Sequence, residues 1–239
     1  MYKGSMQKEI LRYLSTARLE SYKLPGEQTE KTVERYFWNT RLSEAMVPSL
    51  GLVEIGLRNH LNIIISQHYG EHWLLHPPKQ LRLRQNDQER LRAMNSELRQ
   101  ENIVKLNNDS LVTKMNFGFW CSFLQKQYDP ILWHQNKAFA TVFPNTRKNE
   151  RTRQQIAPRL QLVRFARNCI AHNEPIWDMQ PDIKIIHATC IDLIYGMSKV
   201  VAKKLAAMDR FDEVYEQGLH LLKKSETQHA PKVFDPFRD

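Results

Sequence analysis

The side chains best suited to chemistry fall in one run, Leu162-Val163-Arg164-Phe165-Ala166-Arg167-Asn168-Cys169-Ile170-Ala171-His172-Asn173-Glu174-Pro175. An imidazole moves protons near neutral pH. A guanidinium offers planar, paired donors to a phosphate whose charge is rearranging. Together these groups suit metal-independent RNA cleavage, in which a ribose 2′-hydroxyl attacks the adjacent phosphate. In such a reaction His172 is general acid or base, Arg167 is the phosphate and transition-state ligand, and Asn168 positions His172 or RNA through its amide. The residue types leave an alternative open. Arg164 and Arg167 would pair with acids such as Glu54, and His172 would place a cation at a helix C-terminus, where the dipole favours it.

The spacing says how these residues are held. Val163, Ala166 and Ile170 recur at helical intervals, as do Leu162, Ala166 and Cys169, so one broad face packs inward. Arg164, Asn168 and His172 are each four residues apart and share another line, with Arg167 one residue round from Asn168. Pro175 cannot continue a helix, which puts His172 in the last turn, at a rim that substrate can reach. A second polar line, Glu54, Arg58 and Asn62, runs beside the inward stripe Leu50, Val53, Leu57, Leu61 and Ile64. Its apolar flanks, including Leu52, Ile55, Ile63 and Ile65, predict a semi-buried, partnered line. If the two lines converge, Glu54, Arg58 and Arg164 support the site. Otherwise Glu54 and Arg58 form a surface helix pair worth a few tenths of a kcal/mol.

Alternating strand patterns are scarce and helical periods recur from end to end, so the chain reads as all-α. Helices are expected over 7–22, from 29 to about 46 with Pro48 as a break or helix start, and over 49–68. Further helices are expected over 182–206 and 209–223. The charged stretch 79–101 predicts a solvated helix face, with an RNA-guiding surface as the alternative. Phe117, Phe119, Trp120, Phe123 and Tyr128 read as core rather than as base-stacking residues. Residues 133–144 suggest a short helix plus loop. Arg147, Lys148, Arg151 and Arg153, with Arg159, form a basic approach to the helix that carries His172 and are the expected phosphate contacts. The expected organisation is one helical domain over 1–224 and a poorly ordered tail over 225–239.

Composition excludes several classes. In 239 residues, three isolated cysteines, Cys121, Cys169 and Cys190, have apolar neighbours and no Cys-x-x-Cys pair, and so predict buried thiols in a reducing cytoplasm. No apolar run approaches the roughly 18 residues of a membrane span. Nor is there a signal-peptide apolar region, a Walker loop, a Gly-rich dinucleotide turn, a nucleophile elbow or a His-Glu-x-x-His zinc helix. His60, His68, His72 and His76 lack a ligand pattern, so no metal or cofactor is expected. Thirty-five Lys plus Arg against 26 Asp plus Glu give a formal charge of +9, a field that attracts polyanions such as RNA.

The run Arg167-Asn168-x-x-x-His172 resembles the signature of HEPN-type ribonucleases, and Ala171-His172-Asn173-Glu174-Pro175-Ile176 sharpens the likeness to the Abi-like (abortive infection) family. The likeness extends through Arg41-Leu42-Ser43, Val53-Glu54-Ile55-Gly56-Leu57-Arg58-Asn59, Tyr69-Gly70, Trp73, Phe117-Gly118-Phe119-Trp120, Trp133 and Phe143-Pro144, about residues 8 to 200. The resemblance implies a HEPN-like helical bundle with additional N-terminal and middle helices. It also implies RNA cleavage at a composite site across a homodimer, with Arg167, Asn168 and His172 on the motif positions. It suggests a role in phage defence or as a toxin, with an antitoxin or phage-derived trigger as partner. Asn173 stands where the family frequently has a second histidine. A non-catalytic helical RNA-binding or partner-binding module is the alternative function.

Overall fold

A computed structural model describes residues 2–100, 108–134, 138–222 and 232–234, without the side chains of 2–7, 98–100 and 232–233. The fold is all-α. In chain order the helices are α1 (Tyr2–Leu14), α2 (Thr16–Glu20), α3 (Thr29–Tyr69), α4 (Gln85–Gln100), α5 (Asn108–Lys114), α6 (Phe117–Ser122), α7 (Ala138–Val142), α8 (Arg153–Ala171), α9 (Ile183–Met197), α10 (Lys199–Ala206) and α11 (Phe211–Gln217). Two-residue strands β1 (Met179–Gln180) and β2 (Lys232–Val233) pair in parallel, Met179 opposite Lys232. Of the tail expected over 225–239 to be poorly ordered, 232–234 is described, and the remainder lies outside the described residues.

Several boundaries differ from the sequence reading, each for a local reason. The helix expected over 7–22 divides at Ser15, whose positive φ of 65° ends α1 and whose Oγ accepts from the Arg18 N–H (3.3 Å) to cap α2. Pro48 does not break the next segment. It lies inside the 41-residue α3, where buried positions continue on both sides of it: Leu42, Ala45, Met46, Leu50, Val53 and Leu57. Packing of that stripe outweighs the lost N–H, a cost of about 3 kcal/mol. The single helix expected over 182–206 is two. Ser198 closes α9 through its N–H to the Ile194 carbonyl (2.7 Å) and caps α10 by accepting from the Val201 N–H (3.3 Å). The last predicted helix becomes α11 followed by a 3-10 turn, Leu219–Leu222.

The chain divides into two compact units. The first is assembled from Met1–Leu50, Phe165–Ile191 and Lys203–Asp239. Its core holds Trp38, Leu42, Met46, Ile176, Ile183, Ile186 and Phe211, with Arg35 buried among them. That guanidinium is bidentate to Glu27, donates to the carbonyls of Tyr22 (2.7 Å) and Leu221 (2.7 Å), and lies over the Trp177 ring. Each of its charged donors is met, which is what makes a buried cation tolerable. Gly218 is required where it stands, because a Cβ there would fall inside the Trp38 ring.

The second unit comprises Gly51–Arg164 and Asp192–Ala202. Its core is the aromatic stretch assigned to packing from sequence: Phe117, Phe119, Trp120, Phe123 and Tyr128 are all buried, with Trp73 among them. Trp73 stacks on Phe119 at 6.4 Å, and Phe119 meets Trp120 edge-on at 5.1 Å. No described helix is long and apolar enough to cross a membrane.

Candidate functional site

Helix α8 carries Arg167, Asn168 and His172 because Ile156, Leu160, Val163, Ala166 and Cys169, spaced three and four apart, bury its opposite face. The helix stops at the predicted place and by a definable device. Asn173 is left-handed (φ 51°), its N–H reaches back to the Ile170 carbonyl (3.0 Å), and the Glu174 N–H reaches the Cys169 carbonyl (2.8 Å). That pair of bonds is a Schellman closure with His172 as the C-cap residue. Asparagine tolerates the left-handed region better than histidine or any branched residue, a local reason for its presence after His172. Arg167 is half-buried, Asn168 and His172 are exposed, and Arg167 Nη1 lies 3.5 Å from Asn168 Oδ1. The arginine and the imidazole thus project from the last turns of one helix, with the imidazole in reach of solvent.

The turn beyond His172 is held from the N-terminal segments of the same unit. Buried Asn39, on α3, donates through Nδ2 to the Glu174 carbonyl (3.2 Å) and to Tyr22 Oη (3.2 Å), and its Oδ1 accepts from the Ile176 N–H (2.7 Å). Tyr22 in turn donates its hydroxyl to the Asn173 carbonyl (2.9 Å). Burial, with Tyr36 and Glu174 adding to it and Arg18 opposing, pushes the Tyr22 phenol well above its ordinary range, so it stays a neutral donor. Arg18 adds contacts to the Asn173 and His172 carbonyls (3.1 and 3.4 Å), a cation at the end of α8. Sequence reasoning missed Arg18, Tyr22 and Asn39. The available signal was Asn39 itself, a short amide on the inward stripe between Trp38 and Leu42.

The supporting residues Glu54, Arg58 and Arg164 all lie in the second unit. Arg164 and Glu54 both act electrostatically on the buried thiol of Cys121: burial raises it most, Arg164 lowers it, Glu54 raises it. Gly118 lies beside the guanidinium, and a Cβ there would stand at an ordinary van der Waals distance, 3.6 Å, from Arg164 Nη1. Arg58 is half-buried, with Nη1 3.4 Å from the Thr113 carbonyl, and its buried Nε has no hydrogen-bond partner among the described residues. Glu54 and Arg58 are half-buried, although Ile55 and Ile63 of their apolar flanks are themselves exposed. Of the basic cluster, Arg147 and Lys148 are exposed and Arg151 is half-exposed, while Arg153 is held by Asp129 (2.8 Å). Cys121, Cys169 and Cys190 are buried and form no disulfide.

The fold and site define an all-helical protein with an arginine and an exposed histidine five residues apart at the end of one helix. Comparison with protein families matches residues 2–178 to the family described as Abi-like protein. The chain belongs to that family. Comparison with curated proteins finds no match, and comparison with solved structures finds none.

Proposed function

We propose that this chain is a metal-independent endoribonuclease of the HEPN type, acting in the cytoplasm in abortive infection as a phage defence or toxin. The observation that carries the proposal is the placement of Arg167 and exposed His172 in the closing turns of α8, with the turn beyond His172 held by Asn39 and Tyr22. In the reaction the ribose 2′ oxygen bonds to phosphorus and the bond from phosphorus to the 5′ oxygen breaks, leaving a 2′,3′-cyclic phosphate and a 5′-hydroxyl. One proton leaves the 2′-hydroxyl and one is delivered to the departing 5′ oxygen. His172 carries one of these transfers, Arg167 takes the charge on the phosphate, and Asn168 orients the imidazole or the RNA.

A homodimer brings two such helix ends to one cleft, so a second His172 serves the other proton transfer. Glu54, Arg58 and Arg164 support the framework, and Arg147, Lys148, Arg151 and Arg153 guide the RNA backbone. An antitoxin or a phage-derived trigger controls the activity. The test is a gel assay of mixed cellular RNA with parent and His172→Ala protein, chelator present. Cleavage by the parent alone, with cyclic phosphate ends, is the expected result. Salt-sensitive RNA binding with no cleavage by either protein would replace the nuclease with a binding module.

A further inference from the structure

We propose that the second unit holds a separate binding site for a nucleoside phosphate, in the pocket between residues 75–83 and helix α4. This proposal is independent of RNA cleavage at His172 and shares no residue with that site. Gln88, Leu91, Arg92 and Asn95 follow one another at three- and four-residue steps, so one face of α4 is turned onto the pocket. The cavity measures about 310 Å³, at the small end of the range that small-molecule sites occupy. Leu75, Pro78, Leu83 and Leu91 give it an apolar floor.

Three further observations point to an anionic ligand with a polar ring. Among the described residues Lys79, Arg82 and Arg92 line the pocket and no carboxylate does. None of the three forms an ion pair among the described residues, and Arg92 meets only the Gln88 amide, at 3.4 Å. Arg82 occupies the left-handed region (φ 48°, ψ 47°) at the end of the 3-10 turn Lys79–Leu81, a position that glycine fills without strain. Strained backbone positions of this kind cluster at ligand clamps as well as at helix ends. Asn95 Oδ1 is buried and accepts no hydrogen bond among the described residues, and a buried amide oxygen left so calls for a donor.

A nucleoside phosphate satisfies all three at once: the base lies on the apolar floor, one of its N–H groups reaches Asn95 Oδ1, and the phosphate meets the cations. Inorganic phosphate would leave the floor and Asn95 unused, and a neutral nucleoside would leave three cations unmatched. The ligand is either a free nucleotide or the phosphorylated end of an RNA, which share this chemistry.

The experiment is calorimetric titration of the full chain with adenosine 5′-monophosphate, adenosine, inorganic phosphate, and a short oligoribonucleotide with and without a 5′-phosphate. The parent is expected to bind the monophosphate or the 5′-phosphorylated oligonucleotide at least tenfold more tightly than adenosine or phosphate. Arg82→Gly, which relieves the left-handed strain and so preserves the fold, and Asn95→Leu should each weaken that binding about tenfold. Preference for the monophosphate assigns a free nucleotide; preference for the phosphorylated oligonucleotide assigns an RNA end. Binding no tighter than that of inorganic phosphate, or binding unchanged in Arg82→Gly and Asn95→Leu with both variants folded, overturns the proposal.

Discussion

Replacing Asn39 with alanine tests whether the α3 amide holds the turn that follows His172. Three hydrogen bonds end on this side chain, to the Glu174 carbonyl, to Tyr22 Oη and from the Ile176 N–H. Ile176 is fully buried, so its N–H, shortest of the three at 2.7 Å, is left without a partner and without water to replace it. An orphaned buried donor costs about 1–3 kcal/mol. The Glu174 carbonyl is only half-buried and adds less, while Tyr22 keeps its own bond to the Asn173 carbonyl. The expected total is about 2–4 kcal/mol. For a chain of this length each kcal/mol lowers the melting midpoint by about 2–4 °C, so the midpoint should fall by about 5–15 °C. Tyr22→Phe keeps the ring in its edge-on contact with Tyr36 and loses one hydroxyl, so it should cost about 1 kcal/mol. Hydrogen exchange supplies the local readout: the Ile176 amide should exchange faster in Asn39→Ala by the factor that the lost stability sets. If the chain cleaves RNA, kcat should fall with RNA affinity retained, because the turn carries His172 and the phosphate contacts lie elsewhere. A midpoint within about 2 °C of the parent, together with unchanged exchange at Ile176, would refute the clamp.

Gly218→Ala forces a methyl group into the Trp38 ring and should cost more than about 3 kcal/mol, seen as a large fall in the denaturation midpoint; a change under about 1 kcal/mol would show that α11 shifts freely. At the left-handed Asn173, glycine should be nearly neutral while valine should cost about 1–2 kcal/mol, which paired thermal melts will resolve. Acid should destabilise the chain in two stages. Burial lowers the His187 pKa below 6.5 against the pull of Asp209, so its contribution is complete above 6.5 and is lost as pH falls through the lowered value. For Glu27, burial raises the pKa, but the hydrogen bonds from Arg35, the Leu24 N–H and Thr32 outweigh it and hold the carboxyl below 4.5, so its contribution is lost only in stronger acid. Denaturation midpoints against pH should lose the first stage in His187→Phe, which keeps the stack on Phe211, and the second in Glu27→Gln.

What the sequence determined by itself is local. Helical periodicity is a property of neighbouring residues, so the all-α class, the inward face of α8 and its end before Pro175 were legible, as was the aromatic core around Trp120. The half-buried setting of Glu54 and Arg58 was expected from apolar residues on both sides of their line, yet Ile55 and Ile63 on those flanks are themselves exposed. Helix continuity was less legible. Pro48 and Ser198 carry opposite local signals from what the fold does with them, because burial of the α3 stripe outweighs one missing N–H, whereas at Ser198, whose hydroxyl caps α10, one expected helix becomes two. Only the tertiary structure decided what grips the turn after His172. Asn39 lies 137 residues from Ile176, and Tyr22 lies 151 residues from Asn173. No periodic pattern encodes such pairs, since they exist only once α3 packs against the segment that follows α8. The same holds for Asn95 and Arg82, ordinary members of a charged stretch in sequence, whose buried oxygen and left-handed backbone become visible only in the fold.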